Sequence, residues 1–302
     1  MHHRIPQRKG PHIEESVFSA NPLLDSVLRA NVRIAGRRAL IPLLPRWPVL
    51  LRGMRTFGRV VSFCQNSWAV SGSVCTYPEV WCTPCGRNAS GGDLQFFLPC
   101  WSQAFVAIEE RSGDWLYSAE FLDTSGDVIH RVCLTPESDW EGFCWWVQIN
   151  QAASPLGAPP HARFPFRPEG PAALCEGEVS HLSEKNLRAL LRQLIEANIP
   201  VRLLVGNDGL VQGAEMRPNC LCEHDDWIYL GDGGCGLQLR VGGLSEILFR
   251  WSYGSSDWVL KAYEPEGRLI CAIAPSRGIG PKDREASLVR LKVFLCKGGG
   301  EE

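Results

Sequence analysis

The chain is written twice. FCQNSWAVSGSV (residues 63–74) superimposes on LVGNDGLVQGAE (204–215) at an offset of 141, which sets Asn66 on Asn207, Val70 on Val211 and Gly72 on Gly213. The same offset carries Gly126 of LDTSGDVI onto Gly267 of YEPEGRLI and Ile129 onto Ile270, and DLQFFL (93–98) matches GLQLRV (236–241) at 143. A spacing held this constant predicts two copies of one supersecondary unit, neither an array of short repeats nor one irregular domain.

The flanks follow the same plan. SEKNLRALLRQLIEAN places Leu187, Leu190, Leu191, Leu194 and Ile195 on one helical face, with Ser183 as N-cap and Glu184 at the positive end of the dipole. RWPVLLRGMRT predicts the matching helix ahead of the first copy, with Pro48 tolerated in the first turn. Behind the copies, TPESDWEGFCWWV predicts a helix capped by Thr135 with Pro136 at N1, and GPKDREASLVRLKVFL predicts one starting at Pro281. Between the helices, RVVSFC, WAVSGSV, DLQFFL, AFVAIEE, LYSAEFLD and DVIHRVCL read as strands separated by Gly, Pro and Asp. The fold class is therefore α+β: a tandem repeat, each unit a large antiparallel sheet flanked by helices. The divisions are a basic extension (1–45), a first repeat (46–150), a Pro/Ala-rich linker (151–180), a second repeat (181–296) and a tail (297–302).

Net charge of −2 implies no general attraction to nucleic acid. The first thirty residues carry charges where a secretory signal needs an apolar run, and ALIPLLPRWPVLL is broken by three prolines and Arg46, so no export and no membrane span are expected. Thirteen scattered cysteines suit buried thiols in a reducing cytoplasm rather than a disulfide framework. Residues 26–78 hold no Asp or Glu but eight arginines (29, 33, 37, 38, 46, 52, 55 and 59); this is either a face balanced by acids elsewhere or a surface for carboxylates or phosphates.

Trp81-Cys82-Thr83-Pro84-Cys85 has the look of a thioredoxin-type redox site, yet GRNASGGD follows it as a loop, without the helix start that lowers a thiol pKa. A zinc reading remains: Cys82 and Cys85 lie at nearly the same repeat position as Cys220, Cys222 and His224, and the two clusters together could supply four ligands. His130 is expected on a sheet surface, and Trp227 and Tyr229 in a strand core.

Across residues 46–290 the order of segments resembles the bacterial haemin-degrading and haem-transport proteins of the HemS/ChuS family. VGNDGLVQ, DWIYLGDGGCGLQLRV and LFRW match the family's second repeat, while QNSWAV, DLQFFLPCW and AEFLDTSGDVIHRV match its first. The resemblance implies two sheet units facing each other across a groove that an iron porphyrin could enter. It implies a cytoplasmic haem (tetrapyrrole) binding or trafficking protein of haem-iron utilisation, receiving haem from an uptake protein or passing it to an acceptor. Departures bear on the chemistry. Gln95 stands where the family has an arginine, Trp251 where it has a lysine, and Ala272 and Ala274 replace a Gln-x-Tyr pair. The family's DVHxFF histidine run is absent, leaving His181 as the axial candidate by location, and Arg277 keeps a pocket cation. A binding protein that turns haem over weakly or not at all is the expectation, with a ligand-free scaffold on the same fold or zinc at the cysteine clusters as alternatives.

Overall fold

A computed structural model describes residues 33–35, 38–83, 88–111, 114–153, 178–252 and 257–298. Cys85, most of the linker and much of the basic extension fall outside the described residues.

The first half runs β1 (Arg33–Ala35), β2 (Arg38–Pro42), α1 (Trp47–Gly53), β3 (Gly58–Gln65), β4 (Ala69–Thr76), β5 (Trp81–Cys82), β6 (Asn88–Gly91), β7 (Leu94–Phe97), β8 (Gln103–Arg111), β9 (Asp114–Leu122), β10 (Val128–Ser138) and α2 (Trp140–Asn150). The second runs β11 (Glu178–His181), α3 (Glu184–Glu196), β12 (Val201–Gly206), β13 (Leu210–Met216), β14 (Cys220–His224), β15 (Trp227–Gly231), β16 (Cys235–Arg240), β17 (Glu246–Trp251), β18 (Trp258–Tyr263), β19 (Leu269–Pro275) and α4 (Pro281–Gly298). From β2 and β11 onward the two lists correspond element by element.

The strands form two large antiparallel sheets, ordered β1-β2-β8-β9-β10-β3-β4-β16-β15-β14 and β11-β17-β18-β19-β12-β13-β7-β6-β5. Each sheet thus takes three strands from the other half of the chain. The exchange is symmetric down to register: Ala69↔Leu239 and Val70↔Gln238 at one junction match Leu210↔Phe96 and Val211↔Gln95 at the other. The repeats are therefore not self-contained sheets.

The helices cover outer apolar rows. In α3 Ser183 accepts from the Asn186 amide at 3.2 Å and Leu187, Leu190, Leu191 and Leu194 are buried, as the periodicity predicts. In α2 the cap differs from the predicted one. Thr135 and Pro136 still belong to β10, where Thr135 donates to the Arg59 carbonyl at 3.0 Å, and Asp139 caps the helix by accepting from the Gly142 amide at 2.9 Å. Phe143, Trp146 and Val147 then face inward, and the Trp146 indole donates to Leu50 O at 3.1 Å.

The sheets meet face to face at β3 and β4 against β12 and β13, on a pseudo-twofold axis. There Ser62 donates to the Gln212 side chain at 2.9 Å, and Gln212 donates back to Ser62 O at 3.0 Å, closing a small polar knot inside the apolar core. Two Asn turns cross the same axis. Asn66 donates to Gly206 O and Ile270 O, and Asn207 donates to Gln65 O and Ile129 O, each at 2.8–2.9 Å. Each asparagine oxygen also accepts two amides of its own turn. The repeated asparagine, Asn66 in one copy and Asn207 in the other, is a reciprocal clamp between halves.

His130 is buried rather than on a sheet surface. Its Nδ1 donates to Phe63 O at 2.9 Å and its Nε2 accepts from the Tyr77 hydroxyl at 3.0 Å, among Phe96, Trp101 and Phe121. Arg38, Arg55 and Arg59 of the acid-free segment find Glu109 and Glu120, Glu79 and Glu137 respectively, so in these three the balanced-face reading holds. Among the described residues no helix is long and apolar enough to cross a membrane.

Candidate functional site: the outer face of the second sheet

Two places could hold a ligand. The first is a cavity of about 330 Å³ on the pseudo-twofold axis, between the Asn turns. Asp123, Asp127, Asp208 and Glu264 line it together with Trp68 and Arg268. Glu264 is already engaged, accepting from the Trp68 indole at 3.0 Å and pairing with Arg268. The volume lies at the lower end of organic-ligand pockets, and four carboxylates repel an anion. It is a poor seat for a porphyrin with two propionates, and among the described residues the two sheets pack directly on each other at β3 and β4 against β12 and β13.

The second place is the outer face of the sheet that contains β12. Register identifies its residues, because cross-strand partners in an antiparallel sheet share a face. One row reads His181, Leu248, Lys261, Ala272, Leu204, Gly213 across β11, β17, β18, β19, β12 and β13. The next row includes Val179, Arg250, Val259, Arg202 and Glu215, with Ala274 paired to Arg202. Leu204, Val211, Val259, Leu269 and Ala272 form an apolar cluster separate from the main core, with Phe97, Tyr263 and Ala274 against it. Arg250 and Arg202 flank this floor about 14 Å apart, three strand spacings.

The cations at the two ends differ. Arg202 donates to Asp93 at 2.9 Å, and Arg277 is tied to the same Asp93 and to Glu215 (3.1 Å). Slight burial works against the Arg277 charge, but the bonds to Glu215 and Asp93 outweigh it and raise its pKa. The Arg250 Nε, like that of Arg202, is buried with no hydrogen-bond partner among the described residues, so the ends differ in the Asp93 contact that Arg202 makes. Tyr263 has its phenol pKa raised by burial, with Arg250 working the other way.

The equivalent face of the first sheet is closed. There Arg38 and Arg131 interlock with Glu109 and Glu120: Arg38–Glu109 at 2.9 Å, Arg131–Glu109 at 2.8 Å and Arg131–Glu120 at 3.3 Å. At the 141 offset Glu120 becomes Lys261 and Arg131 becomes Ala272, and both pairs keep their register. The second sheet has thus lost the carboxylate at the centre of that ladder and gained a smooth apolar position.

Of the residues singled out in the sequence, the fold brings Gln95, Arg277 and His181 to this face. Gln95 is exposed beside Val211, and His181 sits at the edge strand, 73% exposed at its side chain, with Nδ1 3.3 Å from Glu246. Trp251 does not join them. Strand parity turns it inward against Phe249, at 5.6 Å between ring centroids, and under Lys292 of α4. Arg250, one residue earlier, takes the outward position, and sequence reasoning missed it. The zinc set does not assemble among the described residues: Cys82 lies on β5 and Cys220, Cys222 and His224 on β14, the outermost strands of different sheets. Cys82 stands at the end of a strand paired with β6, not at a helix start, and Cys82, Cys220 and Cys222 are free thiols.

Two large antiparallel sheets with exchanged meanders and few helices define a tandem-repeat α+β protein. Residues 28–149 match the haemin-degrading HemS/ChuX domain family. A hemin transport protein HmuS of Yersinia pestis is 31% identical over 100 residues, 31% of this chain and 29% of its own length. HemS of Yersinia enterocolitica is 30% identical over a stretch of the same size, 31% of this chain and again 29% of its own length. The match therefore spans under a third of the relatives. Among solved structures, the heme-binding protein PhuS of Pseudomonas aeruginosa superimposes with a TM-score of 0.68 at 22% identity, over 80% of this chain and 82% of its own. ChuS, a heme oxygenase of E. coli, gives 0.68 at 17% identity over 83% and 89%. Residues 28–149 thus carry the HemS/ChuX domain signature, and the chain as a whole shares the two-sheet fold of PhuS and ChuS.

Proposed function

We propose that the protein binds haem or a related tetrapyrrole on the outer face of the second sheet, as a cytoplasmic carrier in haem-iron utilisation. It would take its cargo from an uptake protein or hand it to an acceptor, with little or no turnover. The observation that carries this reading is the difference between two equivalent faces, one locked by an Arg–Glu ladder and one carrying an apolar cluster beside Lys261, with arginines at its edges. A porphyrin needs an apolar plane for the macrocycle, cations for its propionates and one axial donor for the iron. Leu204, Val211, Val259 and Ala272 suit the first need, and Arg250 with Arg202 and Arg277 the second. His181, on the edge row of the same face, is the residue assigned to the third. Bound haem would supply redox chemistry at its iron. Gln95 places a neutral amide on this face, which gives no cation to steer oxygen on the iron and accords with transport over degradation.

Titration of the purified chain with hemin tests the reading. Saturable binding with a Soret shift is expected, weakened about tenfold or more by Arg250→Ala, as for loss of one charge-assisted hydrogen bond. His181→Ala should change the Soret position. No saturable binding at micromolar hemin would remove the proposal.

A second reading, a scaffold that keeps the fold without ligand, draws support from one feature. Arg202 and Arg277 are both held by Asp93 and Glu215, so an incoming anion must compete with existing partners. Asp93→Asn discriminates: freed arginines should tighten hemin binding if the face is a site and leave a ligand-free scaffold unchanged.

A further inference from the structure

At the free edge of the first sheet, β14 carries Cys220, Cys222 and His224 at alternate positions, hence on one side of the strand. The other side is fixed: Glu223 pairs with Arg188 and Arg192 of α3, and Leu221 packs against the core. The two thiols therefore face away from α3. Their Sγ atoms are 3.4 Å apart, Cys222 exposed and Cys220 half-buried, and neither is in a disulfide. The contact with Cys222 raises the Cys220 pKa, with burial and the neighbouring charge adding to it. Tyr229, the cross-strand partner of Cys222, lies across Gly231 and Gly236; a Cβ on Gly231 would fall 2.2 Å from its hydroxyl. This holds the ring flat beside the sulfurs.

A direct Cys220–Cys222 disulfide is disfavoured by the strand. Residues i and i+2 are about 6.6–6.8 Å apart at Cα, at the outer limit of what a disulfide spans. A bridging atom removes the conflict, since a metal between the sulfurs lets them stand well beyond the about 2.0 Å of an S–S bond. Two thiolates, with no carboxylate on their side of β14, select a soft, low-coordinate ion. We propose that Cys220 and Cys222 form a two-coordinate site for a monovalent thiophilic cation of the Cu(I) class. Binding releases both thiol protons, leaving a bis-thiolate complex of charge −1, with no change of oxidation state. Neither the fourfold ligand set of zinc nor any residue of the β12 sheet is needed.

Anaerobic titration of the reduced full chain with Cu(I), against a chromophoric Cu(I) chelator, tests the site. The Cys220→Ser/Cys222→Ser double variant is the comparison, with Cys235→Ser as a thiol control and thermal unfolding to check that all variants fold. The wild type and C235S should withdraw one equivalent more than the double variant and compete about tenfold or more better for the ion. Equal uptake by wild type and double variant would overturn the proposal. So would quantitative Cys220–Cys222 disulfide formation in a glutathione buffer, because the pair would then act as a redox couple.

Discussion

Asn66 and Asn207 each satisfy two carbonyls across the pseudo-twofold axis and two amides of their own turn. Removing one side chain leaves four polar groups without their partner at once, each costing up to about 1 kcal/mol where the cavity admits water. Asn207→Ala should therefore destabilise the fold by about 3 kcal/mol in urea unfolding, far more than a typical turn substitution. His130 sets a pH limit. Burial lowers its pKa to about 4, although the bond to Phe63 O works the other way. The unfolded chain takes up the proton near pH 6.5 while the folded chain stays neutral. The His130 contribution is thus whole above pH 6.5 and lost as pH falls from there toward about 4. At 1.36 kcal/mol per unit this removes about 2 kcal/mol between pH 7 and 5, and about 3 kcal/mol in all. His130→Phe should abolish that part of the pH dependence in unfolding curves measured at the two pH values.

The exchanged meanders decide how the elements cohere. The first half lends β5, β6 and β7 to the second sheet and receives β14, β15 and β16, so either half alone exposes the long edges of β4 or β13. Residues 1–150 expressed alone should aggregate or dimerise, and mixing with 178–302 should restore a monodisperse complex, read by size-exclusion chromatography. A stable monomeric half would contradict the exchange. Strands, helix faces and the Ser183 cap were legible in the sequence, since periodicity and capping chemistry are local. The exchange was not, because Leu94-Gln95-Phe96 and Leu237-Gln238-Leu239 offer β4 and β13 the same alternation and registers. The α2 start was misread because Thr135 and Ser138, good caps by type, spend their hydroxyls on Arg59 O, leaving the cap to Asp139. The site suffered from strand parity: a one-residue slip moves a side chain to the opposite face, so Trp251 took the place that belongs to Arg250.

At the scale of the molecule, duplication gives two equivalent outer faces, and substitutions have made them unlike. Arg38, Glu109, Glu120 and Arg131 neutralise one another on the first, while Lys261 and Ala272 break that ladder on the second. A doubled fold can in this way keep one copy as scaffold and free the other for a ligand. The axis cavity between them, lined by acids, offers no comparable attraction to an anionic porphyrin. Amide hydrogen exchange with and without hemin reads the choice directly. The account expects slowed exchange in Val201–Gly206, Trp258–Tyr263 and Leu269–Pro275, with Asp114–Leu122 and Val128–Ser138 unchanged. Protection confined to the first sheet or to the axis turns, or no protection on adding hemin, would contradict it.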